Sequence, residues 1–250
     1  MRFNYLKTAV TFFFLSVTTI GSAQEFEDLI ILYADGKYDK CLVKAEKYTD
    51  DDDTKRHPLP YLYMSMSFFE ISKDASWVEK NEEFDGAFKD ALSYAGKYAM
   101  KDARNDWEYH AEYLDFFLEL QEVVLEDCRN YLADEDFSRA AGELGKLVRF
   151  MPNDPGAWLL NGVANQRNRN ARNAMESFQE SDKILEAEDF NFENLEDVQK
   201  EILKAGMMEY AKMQEFFRKK EEGVKMLDKG KLYFENDEEF AKFYDEYVNG

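Results

Sequence analysis

Few side chains in this sequence are of types that do chemistry. There are only two histidines, His57 and His110. Neither has a second ligand at metal-binding spacing, since His57 precedes a proline and His110 lies in a long helical pattern. Cys41 and Cys128 are the only cysteines. In an oxidising compartment they could pair, but each falls where a helix pair wants a small packed side chain, so packing is the expected role. The run Asp50 to Asp53 could hold calcium loosely, yet it lacks the alternating ligands and turn glycine of a dedicated calcium loop. A solvated loop is expected there. No Gly-rich phosphate loop and no nucleophile elbow is present. Carboxylate pairs of the kind that act on a glycosidic bond carry no information among 52 Asp and Glu. The sequence therefore predicts no enzyme, no cofactor and no metal. The chemistry that remains is recognition. Arg167, Arg169 and Arg172 are interleaved with Asn165, Asn168, Asn170 and Asn173. Arginine forks and amides suit a peptide carboxylate or an acidic tail. The plainer reading of this run is a solvated inter-helix turn.

Charge and address narrow the partners. The 250 residues carry a net charge of −20, which repels nucleic acid and anionic lipid and suits solubility and a basic partner; the partner expected is a protein or peptide, with an acidic tail as the ligand of the arginine run. Residues 1–23 read as a secretory signal peptide. Arg2 and Lys7 precede an uncharged run from Thr8 to Ile20, and Gly21-Ser22-Ala23 supplies small residues for cleavage. That run is shorter than the ~20 residues a membrane-spanning helix needs. Cleavage would remove two of the 32 basic residues, leaving 30 against 52 acidic ones, a net charge of −22. No cysteine follows the cleavage point to carry a lipid, and a Gln begins the mature chain. An exported, periplasmic protein is expected, with secretion as the alternative and no integral membrane segment after cleavage.

The elements that must position these side chains are helices. Hydrophobic residues make up 45% of the chain and aromatics 16%, with four prolines and twelve glycines. No stretch alternates as a strand does, and apolar residues recur at helical spacing throughout. Helices are expected over Glu25 to Tyr33 and from Tyr38 to Tyr48. Others run from Tyr61 to Ile71, from Phe84 to Ala95, and without interruption from about Asp102 to Tyr131. Phe137 to Phe150, Ala157 to Arg167 and Ala171 to Leu185 follow. Lys73 to Glu83 reads as an inserted loop or short turn. Leu195 to Lys229 reads as one long pattern that Gly206 and Gly223 would kink or divide. Glu238 to Val248 closes the chain.

A repeat underlies this order. Second helices begin with an aromatic or apolar residue followed three positions later by a small one, in the pairs Tyr38/Cys41, Phe84/Ala87, Phe137/Ala140 and Ala171/Ala174. Ala140 and Ala174 stand 34 positions apart, a period typical of stacked helix pairs. The segment from Gly156 to Leu185 resembles the tetratricopeptide repeat (TPR). Trp158, Gly162, Ala174 and Phe178 sit at that family's aromatic, close-contact, small and aromatic positions, and Pro152 closes the preceding unit. Asn161, Asn165 and Arg169 depart from the family's usual leucine, tyrosine and glycine. The resemblance implies an all-α fold of antiparallel helix pairs, stacked as a short TPR-like solenoid with C-terminal capping helices. Residues 24–187 would form the repeats, and 188–250 a cap or degenerate repeat. It also implies a groove lined by first helices, at Leu125, Arg129 and Leu132, then at Leu159, Val163, Gln166 and Arg167, with Arg169 and Arg172 beside it. The expected function is that of an adaptor or scaffold in a cell-envelope assembly or secretion complex. The alternatives are a periplasmic protein binding glycans or small ligands through aromatics such as Trp77 or Trp107, and a chaperone for exported chains.

Overall fold

The structure, a computed structural model, describes residues 26–250; the expected signal peptide lies outside them. Among the described residues there are twelve α-helices and no strand. They are α1 (Glu27–Ala34), α2 (Tyr38–Asp50), α3 (Pro58–Ser72), α4 (Ser76–Lys80), α5 (Ala87–Asp102) and α6 (Leu114–Ala133). Then come α7 (Phe137–Phe150), α8 (Pro155–Arg167), α9 (Ala171–Leu185), α10 (Asp197–Phe216), α11 (Lys220–Phe234) and α12 (Glu238–Asn249). None of them is long and apolar enough to cross a membrane.

Four pairs, α1/α2, α6/α7, α8/α9 and α10/α11, are joined by the same three-residue turn. Its middle residue is left-handed, at Gly36, Glu135, Arg169 and Arg218. In each, the middle N–H donates to the carbonyl three residues back, and the next N–H to the carbonyl five back, as in Arg169 to Gln166 and Asn170 to Asn165. This hydrogen-bond pair satisfies the last carbonyls of the first helix and reverses the chain. Glycine is the cheapest residue for that conformation, and only Gly36 uses it. At the other three turns the pairing overrides the side-chain preference. Glu135 and Arg169 are 34 positions apart, while Arg169 and Arg218 are 49 apart. The longer interval is filled by the connector containing the 3₁₀ turn Phe192–Asn194.

Helix pairs pack on one another in chain order, with α7 on α8, α8 on α10 and α5 on α7. The small residues read from the sequence are the crossing points, since Cys41, Ala87, Ala140 and Ala174 are all buried. Gly156 and Gly206 let α8 and α10 meet closely. A Cβ on Gly156 would lie 2.4 Å from the Leu203 nitrogen. Most buried apolar side chains from α1 to α8 form one core, and a second gathers α10, α11 and α12 around Met207, Leu227 and Phe240.

Three expectations about elements are corrected. The helix expected from about Asp102 to Tyr131 begins only at Leu114. Asp106 and Trp107 are left-handed before it, and the buried Asp102 carboxylate accepts from Tyr98 Oη at 2.8 Å and Tyr109 N at 3.3 Å. A side chain that bonds the backbone locally ends a helix without proline or glycine. Phe84 lies in a 3₁₀ turn, and its helix starts at Ala87. Gly206 and Gly223 interrupt nothing; the chain divides at Phe217 to Lys219, and both glycines serve helix crossings instead.

A candidate partner-binding groove

The groove is built from first helices. On α6, Leu125, Cys128, Arg129 and Leu132 recur at three- and four-residue spacing and share one face. On α10, Lys204, Ala205, Met208 and Lys212 do the same. Leu160 and Arg167 of α8 lie between them, and Glu239 at the start of α12 closes one end. The enclosed volume is about 420 Å³. The floor is apolar and the rim is charged, an arrangement suited to an amphipathic chain segment.

The rim charges are set by their partners. Arg129 pairs with Glu201 at 3.3 Å across α6 and α10, Arg167 with Glu135 at 3.4 Å, and Lys212 with Glu209 at 2.6 Å. Lys204 is only 6% exposed and meets three carboxylates, Glu201 at 2.8 Å, Asp237 at 2.9 Å and Glu239 at 3.1 Å. Burial alone would lower its pKa. Its hydrogen bonds to the three acids outweigh burial and hold it well above the usual lysine range. Asp237 also caps α12 by accepting from Phe240 N at 2.8 Å. Lys204 thus ties the start of α12 to α10 at the mouth of the groove.

One buried carboxyl sits behind the groove and fixes α8. Asp154 is buried and caps α8 by accepting from Ala157 N at 2.9 Å, and it is also bonded by the Gln121 amide of α6. Burial raises its pKa to about 6, against the lowering effect of those hydrogen bonds. The folded state therefore holds this proton more tightly than the unfolded chain. Stability from this group is greatest near pH 4 and falls as pH rises towards 6. Asp154→Asn is expected to keep the cap and, with the Gln121 amide turned over, to use Gln121 Oε1, which is buried without a partner. The variant should gain about 1 kcal/mol over wild type at pH 7 and little at pH 4. Urea titrations of both proteins at the two pH values check this. An advantage that shrinks with rising pH would contradict it.

The structure separates the site residues read from the sequence. Arg129 and Arg167 line the groove, with Leu125 and Leu132. Gln166 is half-buried outside its lining. Leu159 and Val163 are buried in the packing; Leu159 lies against Gly206 of α10. Their positions on the first helix do face the next pair, but close helix approach leaves no room for a ligand. Arg169 and Arg172 are exposed on the turn edge and do not line the groove, and Arg172 bonds Glu176 of its own helix at 3.2 Å. Arg167 is drawn away from them, its guanidinium 4.3 Å from the ring centres of both Phe137 and Phe216. Two of the interleaved asparagines, Asn165 and Asn170, are structural. Asn165 donates to Asn161 Oδ1 at 2.9 Å, Asn161 donates to Ser177 Oγ at 3.0 Å, and Asn170 caps α9. The α10 and α12 side of the groove was missed, because 188–250 read as a cap. The spacing of Ala205, Met208 and Lys212 was the available signal.

The other chemistry-bearing residues, apart from Cys128 in the groove lining, lie outside the groove. His57 Nδ1 accepts from Leu59 N at 3.2 Å and caps α3. His110 stacks on Phe117 at 5.1 Å, and burial lowers its pKa. Cys41 and Cys128 are buried and free, and burial raises both thiols. Trp77 lies beneath Lys80 and edge-on to Phe84, and Trp107 packs edge-on to His110. Among the described residues no cluster of three metal-ligating side chains occurs. Compared with family models, curated proteins and solved structures, the chain matches none.

Proposed function

We propose that this chain is an exported, TPR-like helical-repeat adaptor that holds a segment of a partner protein in the groove between α6, α8 and α10. The observation that carries the reading is the apolar floor formed by Leu125, Leu132, Leu160 and Met208, rimmed by cations that already have carboxylate partners. Such a rim adds little net attraction and much discrimination, because an incoming chain must match both signs. The floor supplies the affinity. The recurring left-handed turns and the chain-order packing support the stacked-pair reading. The leader-like residues 1–23 support export to the periplasm.

Affinity purification of the tagged, processed protein from its native envelope tests the reading. Wild type is expected to retain a stoichiometric protein partner. Met208→Glu, which places a charge on the floor without filling a buried core position, should reduce recovery at least ~10-fold. Equal recovery with a folded Met208→Glu protein would contradict the groove assignment. Loss with Arg169→Glu/Arg172→Glu alone would move the site to the turn edge.

A further inference from the structure

A second surface lies outside the groove, on the edge where the α8/α9 and α10/α11 turns come together. The Arg167 guanidinium over Phe216 brings these two turns side by side. The edge carries the sequence Phe216-Phe217-Arg218-Lys219-Lys220, none of which suggested a site in the linear reading. Phe216 is 63% and Phe217 40% exposed, and their rings meet edge to face at 5.1 Å. Arg218 and Arg169 stand at the left-handed positions of the two turns, so both project from the corners. Among the described residues Arg169, Arg218 and Lys219 form no ion pair. That is unusual in a chain where 52 acids face 32 bases, since carboxylates are everywhere available.

We propose that this edge, formed by Arg169, Phe216, Phe217, Arg218 and Lys219, is a docking surface for an acidic peptide segment that also carries bulky apolar residues. Unpaired cations next to exposed aromatic rings give such a segment charge-assisted hydrogen bonds and a hydrophobic seat. A narrow peptide fits better than an anionic bilayer. Glu221 and Glu222 line the same hollow as Arg218 and Lys219, so carboxylates interrupt the cationic patch that a broad anionic surface would need. The surface is distinct from the groove, because none of its residues lines it, and Arg167 alone touches both.

Fluorescence polarisation with a fluorescein-labelled peptide of alternating glutamate and leucine tests the proposal. Wild type should bind, with affinity falling as NaCl is added. The triple variant Arg169→Glu/Arg218→Glu/Lys219→Glu should bind at least ~10-fold more weakly. Phe217→Ser should weaken binding at unchanged salt dependence. Met208→Glu should bind as wild type does, which separates this surface from the groove. All three positions of the triple variant are exposed, so circular dichroism should show its helices intact. No binding by wild type, or equal binding by the triple variant, would overturn the proposal. So would sedimentation of wild type with phosphatidylglycerol vesicles, lost in the triple variant, without any peptide binding.

Discussion

Gly156→Ala is expected to destabilise the protein by about 3 kcal/mol. The added methyl would lie 2.4 Å from the Leu203 nitrogen and 2.6 Å from its Cα. Both are backbone atoms of α10, so no side chain can turn aside to make room. Relief requires α8 and α10 to move apart, which also opens the contact of Gly206 with Leu159. Gly142→Ala provides the comparison. Gly142 is exposed on α7, and a Cβ there meets nothing within 4 Å. That variant should gain about 0.5–1 kcal/mol from helix propensity alone. Urea unfolding of the two variants measures both signs. If both substitutions stabilise, the close crossing of α8 on α10 is wrong.

Lys204→Met ranks next, with an expected loss of about 2–3 kcal/mol. It removes the cation that Glu201, Asp237 and Glu239 share, leaving Arg129 at 3.3 Å from Glu201 as the remaining partner of the three carboxylates. The cost stays below that of a fully buried pair because Glu201 and Glu239 are 45% and 63% exposed and are partly screened by solvent. The damage should be local first. Hydrogen exchange should accelerate in α12, whose start is tied to α10 through Lys204 and Asp237, before α6 and α8 are affected. The sign with pH follows from the carboxylates. Against burial, the hydrogen bonds from Phe240 N and Lys204 hold Asp237 below the usual carboxylate range, so the stability Lys204 gives through it is lost as pH falls and the deficit should shrink with it. A deficit that is independent of pH and spread uniformly over the fold would contradict this account of the cluster.

Much of the helical order was readable because the apolar spacing is strong. The small residues Cys41, Ala87, Ala140 and Ala174 marked real crossings, since a steric demand for a small side chain leaves a clear trace in sequence. Boundaries set by side-chain hydrogen bonds left no such trace. Asp102 ends α5 through local bonding, although nothing in the stretch from Asp102 to Tyr131 breaks a helix by composition. The turn at Arg218 was hidden for a related reason. Its left-handed conformation is imposed by the carbonyls it satisfies, and arginine does not advertise it. Gly206 and Gly223 misled in the opposite direction, being glycines kept for close packing inside helices.

The site was half legible. The resemblance implied Leu125, Arg129, Leu132 and Arg167 as groove positions, and all four line it. Leu159 and Val163 share the phase of a first helix but lie where the next pair packs, and phase cannot report depth. Arg167 parts from Arg169 and Arg172 because two phenylalanines distant in sequence, Phe137 and Phe216, hold its guanidinium. Contacts between distant segments of this kind leave no local pattern. The same holds for the contribution of Lys204 and Met208 from a region that read as a cap.

Site-specific photo-crosslinking in the native envelope tests the groove most directly. A benzoylphenylalanine placed at Met208, on the groove floor, is compared with one at Leu232, an exposed position outside the groove lining. The account predicts one discrete adduct from position 208, identified by mass spectrometry as a segment of a single partner protein, and none from position 232. An adduct at 232 with none at 208, from folded proteins, would contradict the claim that this groove holds the partner.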